Sequence, residues 1–455
     1  MDKPMLLENG CESIAIGFTD KKLSPHAGSA VFWKFLHPSG FVGKLRELLP
    51  HRLAESNNAI DPIDKALAFI QGLLCGAEKL THVAYLRRDP VVPAITGIKR
   101  VSSQSTLSRF FAVFDSAGKN QRCFGPLWDW CIKRIKPRKE GFSLDFDSTR
   151  LLHEDGHQEG VKTGYTRAGL KPCLHPLLAV LEEAKLVAGF WLRPGNTSCA
   201  NNIEGFTLEV LGRLPKWLKV RVVRADSGFC ENGWLSLLEG QGLSYIVVAR
   251  LMSPLRKLIV KGMDWQPTGV RGVTVAEILH HEKGWSWPRR LIVVRHEMKE
   301  KKRAGGKKLI EVPGYLFQAL VTNLNKAHSP LAVWRDYNKR AGCECVIKEL
   351  DEDFALPKLI LSKFWATEAA LSLAVISYNL VVLFQQKMGW QHERITTKSL
   401  RYWMFVTAGA LVSHARKRGL ELAVPPGQRD WWRRVWEKIA CPYPNCNAVG
   451  HAAPP

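Results

Sequence analysis

No apolar run in this sequence is long enough to cross a membrane comfortably. The most apolar stretch, Ala369–Phe384, contains Ser372, Ser377 and Asn379, whereas a spanning helix needs about 20 mainly apolar residues. We therefore predict a buried helix at this stretch and no membrane partner. The polar, mixed segment Met1–Gly10 does not have the pattern of a secretory signal, so we expect a cytoplasmic protein.

Cysteine forms neither a disulfide framework nor a well-spaced metal set. The 11 cysteines are scattered and odd in number, which predicts free thiols in a reducing compartment. Cys441 and Cys446 with His451 resemble part of a zinc knuckle. No second well-spaced pair accompanies them, and this favours a tail without metal.

Acidic residues are few relative to basic ones. Lys plus Arg number 65 against 42 Asp plus Glu, a formal net charge of +23. Such an excess favours a polyanionic partner, usually nucleic acid, although charge alone is also compatible with a basic solvated surface. The 455 residues and the 46% hydrophobic content are enough for two to four domains with a sizeable core.

Strands and helices alternate in the middle of the chain. Residues 142–147 alternate apolar and polar side chains, which predicts a strand with two carboxylates on one face. Similar patterns predict strands at 175–181, 186–192, 220–225 and 243–249, and helices at 201–214 and 231–239. This order is typical of an α/β layer with a mixed sheet.

Two of these strands end in a carboxylate. Asp147 ends the first strand, and Asp226 ends a later strand just before a glycine turn. Aspartates at the strand ends of one sheet can converge on a divalent cation. An Asp at a strand end is also common in turns, so each residue alone is a weak signal.

A third group of polar residues lies on a predicted helix at Pro330–Phe354. Tyr337, Arg340, Glu344 and Lys348 are spaced by three or four residues, which places them on one helical face. A face with two cations, a carboxylate and an aromatic ring is unsuited to a core. The alternative is an exposed helix with salt bridges along it.

Two further segments have features of nucleic-acid contact. A helix predicted from about Ser102 carries Arg109 beside polar residues, as recognition helices do; an ordinary amphipathic helix is the alternative. Residues 251–324 read as a β-rich insertion with Trp285 and Trp287 near basic residues, including a basic hairpin tip at 299–308. Such tryptophans can stack on unpaired bases or belong to the core.

Three of these motifs together resemble the DDE transposases of bacterial insertion sequences, in the branch with a Tyr-Arg-Glu-Lys signature. The motifs are Asp147-Ser148-Thr149, the segment 224–229 around Asp226, and Tyr337-x2-Arg340-x3-Glu344. The resemblance covers roughly residues 100–385. One departure is that Asp351 occupies the position of the signature Lys, and Lys348, one turn after Glu344, is a substitute for it.

The resemblance implies a fold and an activity. The fold is an α/β, ribonuclease-H-like catalytic core with a mixed sheet and a β-rich insertion. Asp147, Asp226 and Glu344 would be the catalytic residues and would hold two Mg²⁺ ions, with Mn²⁺ able to substitute. Asp145 shares a face with Asp147 and is an alternative first ligand, although the Asp-Ser-Thr pattern favours Asp147.

The implied enzyme is a cut-and-paste transposase of the bacterial cytoplasm, associated with the nucleoid when bound to DNA. Its partner would be double-stranded DNA, both the inverted-repeat ends of the element and the target, with a dimer in the DNA complex. Tyr337, Arg340, Lys348, Arg109, Trp285 and Trp287 are the predicted DNA contacts. A ribonuclease-H-like nuclease and a catalytically silent DNA-binding relative remain alternatives.

The chain is accordingly expected to divide into four regions. They are a mostly helical N-terminal DNA-binding region at 1–138, the catalytic core at 139–250 and 325–388, the β-rich insertion at 251–324, and a helical C-terminal region and tail at 389–455.

Overall fold

A computed structural model describes residues 5–52, 55–56, 58–154, 156–166, 169–297, 314–390, 394–415 and 417–440. The fold is mixed α/β, with one large mixed sheet and many helices, as the sequence predicts. The strands are β1 Met5–Glu8, β2 Ser13–Ile16, β3 Leu23–Ser24, β4 Phe142–Ser148, β5 Leu151–Leu152, β6 Lys162–Thr166, β7 Gly169–Leu174, β8 Leu177–Leu181, β9 Leu186–Trp191, β10 Val220–Ala225, β11 Tyr245–Ala249, β12 Gln266–Pro267, β13 Val273–His280, β14 Arg289–Glu297, β15 Tyr315–Thr322, β16 Gly409–His414 and β17 Lys417–Leu422. The α-helices are α1 Ala30–Leu36, α2 Phe41–Leu48, α3 Pro62–Leu74, α4 Leu80–Tyr85, α5 Val92–Thr96, α6 Gln104–Ala112, α7 Ala117–Ile132, α8 Ile203–Arg213, α9 Asn232–Gly240, α10 Ser253–Lys261, α11 Pro330–Asn338, α12 Ala341–Asp353, α13 Phe364–Met388, α14 Thr397–Leu400 and α15 Arg429–Ala440.

A nine-stranded sheet forms the centre of the molecule, in the order β12-β13-β14-β15-β11-β10-β4-β8-β9. Strand β10 runs parallel to both β4 and β11, whereas β8 is antiparallel to β4 and to β9. Strand β4 is buried on both faces, because it lies inside the sheet between covering layers. The predicted alternation of strands and helices from β4 to β11 is confirmed.

The β-rich insertion continues this sheet. Strand β15 pairs antiparallel with both β14 and β11, so β12–β15 lengthen the central sheet instead of forming a separate one. The insertion also contains the helix α10. The predicted basic tip at 299–308 lies outside the described residues.

Helix α13 is the predicted buried helix. Among the described residues it alone has the length and mean hydropathy (1.7) of a membrane span, and its apolar window is entirely buried by the rest of the protein. It packs against α7 and β9. The helix therefore joins the N-terminal helices to the edge of the sheet.

The N- and C-terminal regions share one hydrophobic core, which extends from Val31 to Ile439. Helix α15 packs on α1, and β16 pairs with β3. The C-terminal region, predicted to be helical, contains α14 and α15 and also a hairpin formed by β16 and β17. The four domain boundaries stay predictions, and Cys441, Cys446 and His451 lie outside the described residues.

The helix predicted at Pro330–Phe354 is two helices. A tight turn at Lys339 and Arg340 separates α11 from α12, with the Arg340 N–H donating to the Tyr337 carbonyl. Because i→i+3 bonds tighten the chain here, the side chain of Arg340 leaves the expected exposed face and turns toward the sheet.

Candidate active site

Asp147 and Asp226 lie side by side at the carboxyl ends of two parallel neighbours. Strands β4 and β10 pair with Ala225 opposite Phe146, and each aspartate is the next residue. Adjacent strands are about 4.8 Å apart, so the register brings the two carboxylates to one edge of the sheet.

Asp147 is a buried carboxyl with charged neighbours. Burial raises the pKa of Asp147 to about 6, against the opposing effect of the Arg340 guanidinium. The negative charges of Asp226 and Glu344 raise it further. The strand register places Asp147 beside Asp226, and the contact of Arg340 with Asp147 places the start of α12, which carries Glu344 in its first turn, next to the same edge of the sheet.

Backbone N–H groups orient the two aspartates. Asp147 Oδ1 accepts a hydrogen bond of 2.8 Å from the Ser148 N–H, and Asp226 Oδ1 accepts one of 2.8 Å from the Gly228 N–H. Each contact leaves the second carboxylate oxygen directed elsewhere. The turns that follow β4 and β10 therefore fix the side chains that face each other.

His175 supports the turn after Asp147. Its Nδ1 lies 2.8 Å from the Thr197 carbonyl, which can only accept, so Nε2 at 2.9 Å accepts from the Ser148 hydroxyl. Burial lowers the pKa of His175 to about 3, which keeps the imidazole neutral. His175 was not among the residues predicted for the site.

Asp145 is committed to a buried ion pair. Arg224 binds it through Nε–Oδ1 at 2.6 Å and Nη2–Oδ2 at 2.8 Å, and neither side chain is exposed. Of the two carboxylates on β4, Asp147 is thus the one that faces Asp226. Arg224 was missed, although it precedes Asp226 by two residues as Asp145 precedes Asp147.

Arg340 is buried against Asp147. The sequence predicted it on an exposed helical face that contacts DNA, and the structure corrects this expectation. Its Nη2 is 2.8 Å from Asp147 Oδ2 and 3.0 Å from the Phe146 carbonyl. The residue is 5% exposed. The guanidinium therefore compensates the charge of a buried carboxylate, which is costly to ionise alone.

Tyr337, Glu344 and Lys348 differ in their surroundings. Burial raises the pKa of Tyr337 to about 12, and its partly buried ring packs against the apolar cluster that includes Val222 and Trp334. Glu344 is exposed in the first turn of α12. Lys348 faces solvent and pairs with Glu352 at 3.9 Å, one turn away from the site.

Asp351, in place of the signature Lys, packs against the first motif. Thr149 Oγ1 lies 3.4 Å from Asp351 Oδ2. Burial raises the pKa of Asp351 to about 7. This position is therefore next to the Asp-Ser-Thr segment, with a carboxyl that is substantially protonated at neutral pH.

The family model for the transposase DDE domain, group 1, matches residues 8–441. This chain belongs to that family of DDE transposases. Among solved structures it is similar to the piggyBac transposase in a cryo-EM structure of its synaptic complex with hairpin DNA, at 12% identity and a TM-score of 0.44, over 94% of this chain and 90% of that chain. A search of curated proteins found no match.

DDE transposases generally use divalent metal ions, and the donor set here fits one. Three carboxylates are the hard oxygen ligands that Mg²⁺ and Mn²⁺ prefer, and their mutual repulsion at Asp147 is what a cation would relieve. Within the described part of the chain, no three His, Cys, Asp or Glu side chains already stand at metal-binding distances. Arg340 and the Ser148 N–H hold Asp147 instead.

The remaining predicted DNA contacts of the DDE transposase lie on other elements. Arg109 is exposed on α6, with Nη2 3.4 Å from Thr106 Oγ1. Trp285 and Trp287 flank the Arg289 guanidinium at 5.2 and 5.1 Å. Trp287 is 46% exposed, whereas Trp285 packs partly against the core.

Proposed function

We propose that this transposase binds the ends of a bacterial insertion sequence, cleaves the DNA there, and transfers the freed 3′ ends to target DNA. The observation that carries the proposal is the strand register that places Asp147 and Asp226 side by side at one edge of the sheet, with Glu344 one helical turn after the Arg340 that contacts Asp147. Membership of the DDE family supports the same chemistry.

The strand order supports a ribonuclease-H-like core. In the segment β9-β8-β4-β10-β11, the first three strands are antiparallel and the last three are parallel. The carboxylates lie at the carboxyl ends of the two central parallel strands, where an open α/β sheet forms its sites. The assignment explains why residues from distant segments meet.

The residues of the chain hold and shape the reacting centre. Two Mg²⁺ ions, or Mn²⁺ in their place, would activate the attacking hydroxyl and stabilise the leaving oxygen of an in-line displacement at phosphorus. Asp147 and Asp226 present fixed oxygens because backbone N–H groups anchor them. Arg340 keeps Asp147 ionised, and the exposed Glu344 leaves that side open to DNA.

The DNA partner is expected from charge. With a formal net charge of +23, several phosphates should be neutralised, and affinity should fall steeply with salt. Lys348 and Arg109 are exposed cations that fit this role, and we assign α6 a share of the sequence preference. A dimer on the two element ends and a cytoplasmic location complete the proposal.

The test uses a supercoiled plasmid that carries the DNA flanking this gene. Asp147→Asn, Asp226→Asn and Glu344→Gln should each abolish Mg²⁺-dependent cleavage while leaving DNA binding largely intact, because affinity comes mainly from phosphate contacts. The matched control is Glu352→Gln, an exposed carboxylate on the same helix as Glu344. A variant that still cuts at the wild-type rate is not a ligand.

Strand transfer needs its own measurement. A second plasmid in the same reaction should acquire the cut ends, joined through their 3′-hydroxyls. Cleavage without joining would instead support the nuclease alternative, and binding without cleavage would support the catalytically silent one.

A further inference from the structure

A cleft of about 420 Å³ lies beside the candidate active site. Its walls are the β6–β7 hairpin, the loop that follows β9, and the turn that follows Asp226. We propose that this cleft binds the phosphodiester adjacent to the one that is cut, and that Arg150 and Arg250 are its anion ligands. The inference rests on the proposed function, because it places the DNA strand relative to the carboxylates.

The chemistry of the cleft suits an anion. Its described lining includes Arg150, Arg250, the exposed Tyr165 and several hydroxyl and amide groups, and contains no Asp or Glu. The adjoining site is built from three carboxylates. A DNA strand that lies across both would meet cations at one phosphate and, beside it, the residues proposed to hold metal.

Arg150 supplies a charge that no carboxylate balances within the described structure. Its Nη1 lies 2.8 Å from the Gly195 carbonyl and 3.5 Å from the Thr197 carbonyl. These contacts orient the guanidinium without neutralising it. Burial is the largest cause of the lowered pKa of His175, and the positive charge of Arg150 lowers that pKa further.

A second arginine adds to the same positive potential. Arg193 is 4% exposed, and it donates hydrogen bonds to backbone carbonyls, among them those of Ser198 and Asn201. Arg150 and Arg193 thus hold the same loop with two positive charges. A buried charge without a counter-ion is costly, and an anion in the neighbouring cleft would offset part of that cost.

Arg250 connects the cleft to the carboxylate site. Its Nε donates to the Ser227 carbonyl at 3.1 Å, and its Nη2 lies 3.5 Å from the Gly228 carbonyl. The N–H of the same Gly228 anchors Asp226. The arginine also pairs with Glu231 at 3.0 Å, with both side chains about half exposed, and such a surface pair is weak enough for a phosphate to displace.

Close backbone contacts make the walls rigid. A Cβ at Gly195 would overlap the carbonyl oxygens of Cys173 and Lys162, and a Cβ at Gly164 would overlap that of Gly195. The hairpin and the loop therefore touch through their main chains. A preformed site binds without the cost of ordering its parts, and it also fixes the position of the bound phosphate.

The test compares the double variant Arg150→Gln/Arg250→Gln with Arg433→Gln, an exposed arginine on α15. Binding to the flanking DNA should lose about one unit of salt slope in the double variant, because one phosphate contact is removed, and none in the control. Cleavage by wild-type protein should fall about tenfold when one phosphate beside the mapped cut is replaced by a neutral methylphosphonate, since misplacement costs rate. The double variant should not respond to that replacement.

Two further comparisons distinguish a loss of folding stability from a loss of phosphate binding. Arg150→Lys keeps the charge and should retain most of the salt slope even if Arg150→Gln lowers the melting temperature. If wild-type protein cuts DNA and the double variant remains as sensitive as wild type to each methylphosphonate, the inference is wrong and the proposed function stands. If wild-type protein does not cut, the proposed function fails. In that case an unchanged salt slope in the double variant would also show that the cleft does not bind a phosphate.

Discussion

At the scale of single residues, Arg340 supplies the positive charge that favours ionisation of the buried Asp147 carboxyl. Asp147 is 8% exposed and Arg340 is 5% exposed. Their 2.8 Å contact opposes the effect of burial on the pKa of Asp147, which is nevertheless raised to about 6. A single nitrogen of Arg340, Nη2, contacts both Asp147 Oδ2 and the Phe146 carbonyl, and the guanidinium keeps its charge at any ordinary pH.

We expect Arg340→Gln to destabilise the protein by about 3–5 kcal/mol at pH 8, because it leaves a buried carboxylate unpaired. Arg340→Lys should recover part of this loss through its charge. Chemical denaturation measures both, and Asp147→Asn/Arg340→Gln is the control, in which the penalty should shrink. Equal stability of Arg340→Gln and wild type would show that the pair contributes nothing.

At the scale of elements, the insertion is tied to the core at the first residue of β14. Arg289 binds Glu239 on α9 through Nε–Oε1 at 2.8 Å and Nη2–Oε2 at 3.0 Å. Trp285 and Trp287 flank that guanidinium. The Arg289–Glu239 ion pair therefore fixes the segment just before β14, which carries the partly buried Trp285 and the exposed Trp287.

Alanine substitutions should distinguish the roles of Trp285 and Trp287. Trp287→Ala should weaken binding of a single-stranded oligonucleotide by about 1–3 kcal/mol, the usual value of one base stacked on an aromatic ring, with little change in melting temperature. Trp285→Ala should lower the melting temperature, because its ring is partly buried. Unchanged binding by Trp287→Ala would leave that ring without a role in DNA contact.

At the scale of the whole molecule, Glu368 links three parts of the core. Its Oε2 accepts from Asn120 Nδ2 on α7 at 2.7 Å, and its Oε1 accepts from the Leu192 N–H just after β9 at 3.1 Å. Glu368 itself is on α13. Burial raises the pKa of this carboxyl to about 7, so it changes charge near neutral pH.

The stability conferred by Glu368 should fall as pH rises from about 4.5 to about 7. The folded state binds this proton more tightly than the unfolded state, so ionisation costs stability over that window and the cost stays constant above it. The full difference is about 3 kcal/mol at 1.36 kcal/mol per pKa unit. Unfolding free energies of wild type and Glu368→Gln across this range measure it, with the exposed Glu47→Gln as control. Parallel pH profiles for wild type and Glu368→Gln would contradict the prediction.

The sequence by itself determined the strands, the helices between them and the two aspartates at strand ends. The alternation before Asp147 and the glycine turn after Asp226 are local patterns, and local backbone preferences are sufficient to produce them. The buried character of α13 follows in the same way from its composition. These features needed no knowledge of which segments meet.

The tertiary structure alone decided which residues share the site and in what role. Arg224 removes Asp145 from consideration, the turn between α11 and α12 buries Arg340, and the pairing of β15 with β11 joins the insertion to the sheet. Each outcome depends on groups that lie close in space but far apart along the chain. Periodicity records which face of an element a side chain occupies, whereas the partner opposite that face is set by packing.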